Sequence, residues 1–272
     1  MTLTPSESRR GHCVSILLAL TVMSACSSET AEVATTDPPE TKAAPATIRI
    51  VTLAPTASWL LTEVAGPAVE STSLWVGEGR ELEPNELESL IEADLIVRHG
   101  AGLDRWADTL DLESSRLIDL SEGASLIERE GTRHSHGEEG EHVHAEPLTD
   151  TWQDVALVLQ SLDVLESRLS SPGALSAEKV SALRRRLAAL DARFSQLVER
   201  TSAQSSEDEL AYLVRRLGAE PRDALLQLST QQAEGSLSLE SLLPPPSDGD
   251  YGALLERNVE RIGAAAAVST EG

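Results

Sequence analysis

Ile48-Arg-Ile-Val-Thr-Leu53-Ala-Pro55 is the stretch that decides the fold. It is a β-branched run stopped by a proline, which predicts a first strand. The following residues, Thr56 to Ala65, end at Gly66-Pro67, a typical helix stop. Their large apolar side chains recur at helical spacing, at Trp59, Leu60, Leu61 and Val64. The sequence therefore predicts a strand that leads directly into a helix.

The same alternation continues toward the C-terminus. Further strands are predicted at Val69 to Val76, Leu95 to Val97 and Leu117 to Leu120. Helices are predicted from Glu83-Pro84 onward and over Gly102 to Leu110. Strands that alternate with helices in units of this size indicate an α/β fold with a parallel sheet.

Two long helices are predicted in the middle of the chain. The first begins with Thr151 and Asp154 as a capping pair. Its apolar stripe comprises Trp152, Val155, Val158, Leu159, Leu162, Leu165 and Leu169. The second runs from Ser176 to about Arg200 and would be roughly 37 Å long, enough to run the length of a two-lobed molecule. Its stripe comprises Val180, Leu183, Leu187, Leu190, Phe194 and Leu197.

The residues after Thr201 give weaker signals. Glu207 to Leu217 predicts a helix that stops at Gly218, and Leu225 to Leu228 is a strand candidate. Fewer strands are predicted here than in the first half. We therefore expect a reduced second lobe over residues 201–272, after an N-terminal lobe over 47–130 and linking helices over 147–200.

The N-terminus has the pattern of an export signal. Arg9 and Arg10 precede a short apolar run and the sequence Met23-Ser-Ala-Cys26. This order predicts a signal peptide over residues 1–25 and lipidation of Cys26, although an ordinary signal peptide with a chance cysteine is the alternative. Residues 26–46 are rich in Ser, Thr, Glu, Ala and Pro and predict a flexible tether. We expect an exported lipoprotein, periplasmic or at the cell surface, that is anchored to a membrane.

Charge and cysteine content exclude several classes of function. The formal net charge of −23 makes nucleic acid an unsuitable partner. Cys13 lies inside the predicted signal, so Cys26 would be the single cysteine of the mature chain and no disulfide framework is possible. The sequence contains no nucleophile constellation, phosphate-binding glycine loop or HExxH pattern, so we expect no enzyme.

A histidine-rich, acidic segment at residues 131–146 interrupts the α/β alternation and predicts a mobile loop. It contains two close histidine pairs, His134 with His136 and His142 with His144. Neutral imidazole suits zinc, and a mobile loop can wrap several nitrogens around one ion. The alternative is a low-complexity surface segment that binds metal only adventitiously.

Several motifs, in their order, resemble the receptor subunits of zinc and manganese ABC uptake transporters. The matching segments are Thr52-Leu-Ala-Pro-Thr, Glu83-Pro84, His99-Gly-Ala-Gly-Leu-Asp104-Arg-Trp106 and Leu117 to Gly123, followed by the histidine loop and a long helix. The resemblance covers about residues 47–217. It implies two α/β lobes with parallel sheets, joined by one long rigid helix, with the metal between the lobes.

The resemblance also implies four metal-ligand positions, and this chain departs from the pattern. Arg80 and Asp150 occupy the positions of two family histidines. Glu207 resembles the glutamate of manganese-type members, whereas Asp248 and Asp250 are candidates for a late aspartate. Arginine cannot coordinate a cation, so a conventional site is in doubt. Asp150 and Glu207 could still hold a harder ion such as manganese, or both could be surface carboxylates.

These observations predict a monomeric receptor that captures a divalent metal ion, zinc before manganese, for an ABC permease. One alternative is a diverged paralogue that acts as a metal buffer or interaction protein without an interlobe site. Another is a receptor for a cobalamin-like or siderophore-like ligand, which the histidine loop argues against.

The lipid anchor can be tested directly. We expect Cys26→Ser to release the protein from membranes into the soluble fraction, because the acyl chains would be its only hydrophobic anchor. Fractionation and metabolic lipid labelling measure this. Unchanged membrane association, with no lipid label on the wild type, would contradict lipidation.

Overall fold

A computed structural model describes residues 47–76, 80–129, 133–135, 141–143, 146–218, 224–231, 234–241 and 249–269. Ala44–Gly272 form one compact unit. The predicted signal peptide, Cys26 and the tether lie outside the described residues. Among the residues that are described, no helix is long and apolar enough to cross a membrane.

The N-terminal lobe is built on a four-stranded parallel sheet with strand order β2-β1-β3-β4. Its strands are β1 (Ile48–Thr52), β2 (Val69–Ser73), β3 (Leu95–Arg98) and β4 (Leu117–Asp119), with α1 (Pro55–Val64) and α2 (Pro84–Glu92) in the connections. The four predicted strands are therefore confirmed. The predicted helix over Gly102 to Leu110 is a 3-10 helix, Arg105–Thr109.

Alternation along β1 and β3 divides the N-terminal core into two layers. Ile50 and Val97 face the main core, whereas Val51 and Ile96 face a smaller cluster that packs under α2. Successive strand residues point to opposite faces of a sheet, so both faces of this sheet are covered. This explains why these strands read as continuous apolar runs.

The histidine-rich segment contains short strands where the sequence predicted only a loop. β5 (Glu128–Arg129) pairs antiparallel with β8 (Glu146–Pro147), and β6 (Arg133–Ser135) pairs antiparallel with β7 (Glu141–Val143). We call residues 128–147 the histidine hairpin and β5 with β8 its stem. Polar, glycine-bearing sequence gives no apolar alternation, so the backbone pairing left no signal.

Two helices follow the hairpin, and both were predicted. α3 (Val155–Arg168) begins at Asp154, whose side chain accepts a hydrogen bond from the Ala156 N–H. Of the predicted capping pair, Asp154 caps α3, but the prediction for Thr151 was wrong. Thr151 starts a separate 3-10 helix, Thr151–Gln153. α4 (Ala177–Val198) has 22 residues and is therefore roughly 33 Å long.

The second lobe has a smaller parallel sheet, with strand order β11-β10-β9 among the described residues. The strands are β9 (Thr201–Gln204), β10 (Ala224–Ser229) and β11 (Leu237–Ser238). α5 (Ala211–Leu217) and α6 (Tyr251–Ser269) complete it, and Gly218 ends α5 with a φ of 86°. The predicted α/β class with two parallel sheets and a long connecting helix is confirmed.

A single apolar core runs through both lobes along α4. Val180, Leu183, Leu187, Leu190 and Phe194 are all buried on one stripe of this helix. The same cluster contains Leu61 of α1, Leu226 of β10 and Ile262 of α6. The lobes are thus held together by shared burial on one helix.

Truncation of this stripe should destabilise the whole unit. Leu187 is fully buried, so Leu187→Ala should lower the free energy of unfolding by about 2–5 kcal/mol through lost contacts and a cavity. Val268→Ala is the control, because Val268 is 75% exposed and its truncation should change stability by less than about 0.5 kcal/mol. Urea denaturation measures both, and equal effects would contradict a core role for α4.

Candidate metal site and interlobe contacts

Arg80 lies just before α2 and is bound by a carboxylate of the same lobe. Its guanidinium donates to both oxygens of Glu86, at 2.7 and 2.9 Å, and to the Trp75 carbonyl at 3.0 Å. The same Glu86 carboxylate accepts the Glu83 N–H as part of the α2 capping box. The Arg80 hydrogen bond lowers the pKa of Glu86. The carboxylate that binds Arg80 is thus Glu86, six residues further along the same lobe.

Asp150 lies between the stem and the 3-10 helix that precedes α3. Its Oδ2 accepts a hydrogen bond from the Thr149 hydroxyl at 3.1 Å. It lines a cavity of about 180 Å³ together with Arg105 and Glu146, which form an ion pair at 2.8 Å. The carboxylate is therefore next to open space but also close to a fixed cation.

Glu207 follows β9 and is held by the end of β10. Its carboxylate accepts from the Ser229 hydroxyl at 2.5 Å, the Thr230 N–H at 2.8 Å and the Thr230 hydroxyl at 2.6 Å. Burial opposes ionisation, but these hydrogen bonds outweigh it and lower the pKa of Glu207. A metal ion bound to Glu207 would compete with these donors for the carboxylate oxygens.

Asp250 caps the start of α6. Its Oδ1 accepts the Ala253 N–H at 3.0 Å, and its Oδ2 lies 3.3 Å from the Arg186 guanidinium. Although desolvation opposes ionisation, these donors lower the pKa of Asp250. Asp248 lies outside the described residues.

The described part of the chain contains no group of three or more His, Cys, Asp or Glu side chains that could hold a metal ion. His136 and His144 lie outside the described residues, and only the backbone is described at His134 and His142. That backbone pairs His134 directly with His142 across β6 and β7. Two of the four sequence-predicted histidines, His134 and His142, are thus in pairing register. Arg80, Glu207 and Asp250 are each bound by protein groups.

A small, mostly apolar cavity of about 20 Å³ lies where α6 meets the N-terminal lobe. It has room for about one water molecule. Its lining includes Trp59, Trp152 and Tyr251, and the Trp59 and Tyr251 rings are 6.0 Å apart. The contact between the lobes is therefore closed by aromatic packing at this point.

His99 is the buried histidine of this cavity. It lies directly after β3, and its ring is buried. Its ring nitrogens make hydrogen bonds of 3.1 Å with the Thr56 hydroxyl and 2.8 Å with the Thr151 hydroxyl. Burial lowers the pKa of His99 to about 4, so the ring is neutral at pH 7. It therefore joins α1 to the segment that leads into α3.

Contacts from α5 to the linking helices and to the end of the N-terminal lobe were not predicted from sequence. Arg216 pairs with Asp154, the cap of α3, and with Asp191 of α4. The fully buried Tyr212 hydroxyl donates to the Leu148 carbonyl and accepts the Ile127 N–H. The sequence signal that could have indicated these contacts is Tyr212 within an apolar helix, because a buried tyrosine hydroxyl requires a hydrogen-bond partner.

Two parallel α/β lobes on one long helix define the class of two-lobed solute-binding receptors. The sequence profile of the family described as zinc-uptake complex component A, periplasmic, matches residues 50–243. The chain belongs to this family, whose members are metal-binding periplasmic components of ABC uptake systems and not enzymes.

Several solved structures have a similar fold. The laminin-binding protein Lmb of Streptococcus agalactiae, described as an adhesin with metal-transporting activity, is 18% identical over 80% of this chain and 99% of its own, with a TM-score of 0.57. The periplasmic zinc-binding protein TroA of Treponema pallidum is 20% identical over 81% and 99%, with a TM-score of 0.53.

The manganese-bound periplasmic metal-binding protein of Candidatus Liberibacter asiaticus is 16% identical over 81% of this chain and 99% of its own, with a TM-score of 0.53. At these identities the likeness concerns the fold. A search of curated protein sequences found no match.

The buried His99 predicts a pH dependence of stability. The pKa of His99 in the folded protein is about 4, below the ordinary 6.5. The contribution of the neutral ring to the free energy of unfolding is therefore present above pH 6.5 and is lost as the pH falls toward 4. The stability advantage of wild type over His99→Gln should shrink by on the order of 3 kcal/mol between pH 7 and 4.

Comparison with the variant at each pH isolates this effect. Asp104, which accepts the His99 backbone N–H, has a pKa raised by burial to about 6 and contributes with the opposite sign. That contribution is present in both proteins and cancels. Denaturation at several pH values measures the difference, and a constant difference from pH 7 to 4 would contradict a neutral, buried imidazole.

Proposed function

We propose that this chain captures a divalent metal ion, zinc in preference to manganese, and delivers it to the permease of an ABC uptake transporter. It acts as a monomer, exported and held at a membrane by a lipid on Cys26. Membership of the zinc-uptake family supports the metal and the transporter class. The net charge of −23 favours attraction of cations to the surface.

The histidine hairpin is the proposed capture site, with His134, His136, His142 and His144 as ligands. The observation that carries this assignment is the register of β6 and β7, which sets the His134 and His142 backbone positions opposite each other. Imidazole is a good ligand for zinc, and four histidines in one hairpin supply a full tetrahedral set. Manganese is a harder ion that suits carboxylate ligands better than imidazole, so it is the second choice for this site.

Asp150 and Glu207 are proposed as secondary ligands. Asp150 follows the stem by three residues and lines the 180 Å³ cavity, so it lies near the base of the hairpin. Glu207 already accepts three hydrogen bonds, and a metal ion would compete with these donors for its oxygens.

A metal buffer or interaction protein without an interlobe site is the second candidate. The pairing of Arg80 with Glu86 favours it, because this guanidinium stands at a position where relatives are expected to carry a metal-binding histidine. An arginine at such a position offers no lone pair to a metal ion. In this case the hairpin would hold metal without passing it to a cleft.

Replacement of the four hairpin histidines tests the capture site. The quadruple change His134→Ala, His136→Ala, His142→Ala and His144→Ala should remove most zinc binding, since the imidazoles are lost. The melting temperature of the metal-free protein should stay nearly unchanged, because the polar, glycine-bearing sequence of this segment predicts no core residues. The matched control is Glu138→Gln with Glu139→Gln, which alters the same hairpin and keeps every histidine.

Calorimetric zinc titration separates the candidates. Tight one-to-one binding that survives the quadruple change would locate the site between the lobes and contradict the hairpin assignment. Loss of all tight binding would support it. Zinc uptake by cells that lack the native gene, restored by the wild-type protein, would support transport, whereas unrestored uptake with intact zinc binding would favour the buffer.

A further inference from the structure

We propose that Tyr212 is a positioning residue for the histidine hairpin, fixing its stem to α5 of the second lobe so that zinc capture is coupled to that lobe. The inference rests on the proposed function of the hairpin. The contacts that carry it are all between described residues.

The Tyr212 hydroxyl bridges the residue pair next to the stem, Ile127 and Leu148. Ile127 and Leu148 extend the β5–β8 ladder by one pair, and the Leu148 N–H donates to the Ile127 carbonyl at 2.8 Å. An antiparallel pair of this kind normally exchanges two such hydrogen bonds. Here the hydroxyl takes the place of the second, accepting the Ile127 N–H at 3.1 Å and donating to the Leu148 carbonyl at 2.9 Å.

The hydroxyl is held in position by its own helix. The Tyr212 side chain is fully buried, and its neighbours Leu213 and Leu217 belong to the core shared by both lobes. The Arg215 guanidinium lies 5.0 Å from the centre of the Tyr212 ring and donates to the Ser125 carbonyl at 2.8 Å, just before the stem. Two adjacent turns of α5 therefore bind the chain on the N-terminal side of the hairpin.

The other side of the stem is bound by the first lobe. Glu146 of β8 pairs with Arg105 at 2.8 Å, next to the cavity that Asp150 lines. The stem is thus held between the two lobes. A stem held in this way leaves the hairpin less conformational freedom to lose when its histidines bind one ion. This preorganisation raises the affinity for zinc.

The test is Tyr212→Phe in the full chain, which keeps the ring and removes the hydroxyl. Zinc affinity, measured by competition with a chromophoric chelator, should fall about threefold to tenfold, because the two hydrogen bonds between the hydroxyl and the base of the stem are lost. In the metal-free protein, amide hydrogen exchange at Ile127 should become faster. Arg215→Met, which removes the Ser125 contact, should change both quantities in the same direction.

Tyr251→Phe is the matched control. Tyr251 is also buried, but among the described residues its hydroxyl has no hydrogen-bond partner. This variant should leave zinc affinity and Ile127 exchange unchanged. A purely structural role for Tyr212 would lower the melting temperature without changing zinc affinity, and that result would overturn the proposal.

The quadruple histidine variant separates this inference from the proposed function. Adding Tyr212→Phe to it should leave the residual zinc binding unchanged, and a further loss would mean that Tyr212 serves a different site. If zinc binding depends on the histidines but not on Tyr212, the positioning role is overturned and the capture site stands. If the histidines do not affect zinc binding, both proposals are overturned.

Discussion

Burial of one stripe of α4 against both lobes is the constraint on which the rest of the structure depends. Val180 and Leu183 lie at one end of this stripe and Phe194 at the other. Because the same core cluster includes α1 from the first lobe and β10 and α6 from the second, separation of the lobes would expose apolar surface. At about 25 cal/mol per Å² of apolar surface, even a modest opening is costly. The lobes are therefore expected to move little without a ligand that offsets this cost.

Polar contacts refine the arrangement that burial sets. Arg216 binds the cap of α3 and a carboxylate on α4, and it lies over the Phe194 ring at 4.9 Å. His99 joins α1 to the start of the α3 segment through two threonine hydroxyls. Since buried polar groups are costly when left unpaired, these contacts select one alignment of the helices from the many that an apolar stripe would permit.

The positions at which the family resemblance implies metal ligands have become part of the protein's own bonding. Glu86 neutralises Arg80, Ser229 and Thr230 bind Glu207, and α6 uses Asp250 as its cap. Each carboxylate has donors that compete with a metal ion. The stem of the histidine hairpin is held by both lobes, through Arg105 of the first and Tyr212 of the second.

The sequence by itself determined the four strands of the first lobe, the two long helices and the class of protein. Apolar runs such as Ile48–Thr52 and the stripe of α4 have periods that only one kind of element satisfies, and family motifs occur in order along the chain. It missed β9, because Thr201 and Ser202 are small and polar yet fully buried by packing from elsewhere. Only the tertiary structure decided the partners of Arg80, Glu207 and Tyr212. Some of these pairings, such as Tyr212 with Leu148, join residues distant in sequence. All of them depend on how the elements pack, which local periodicity does not encode.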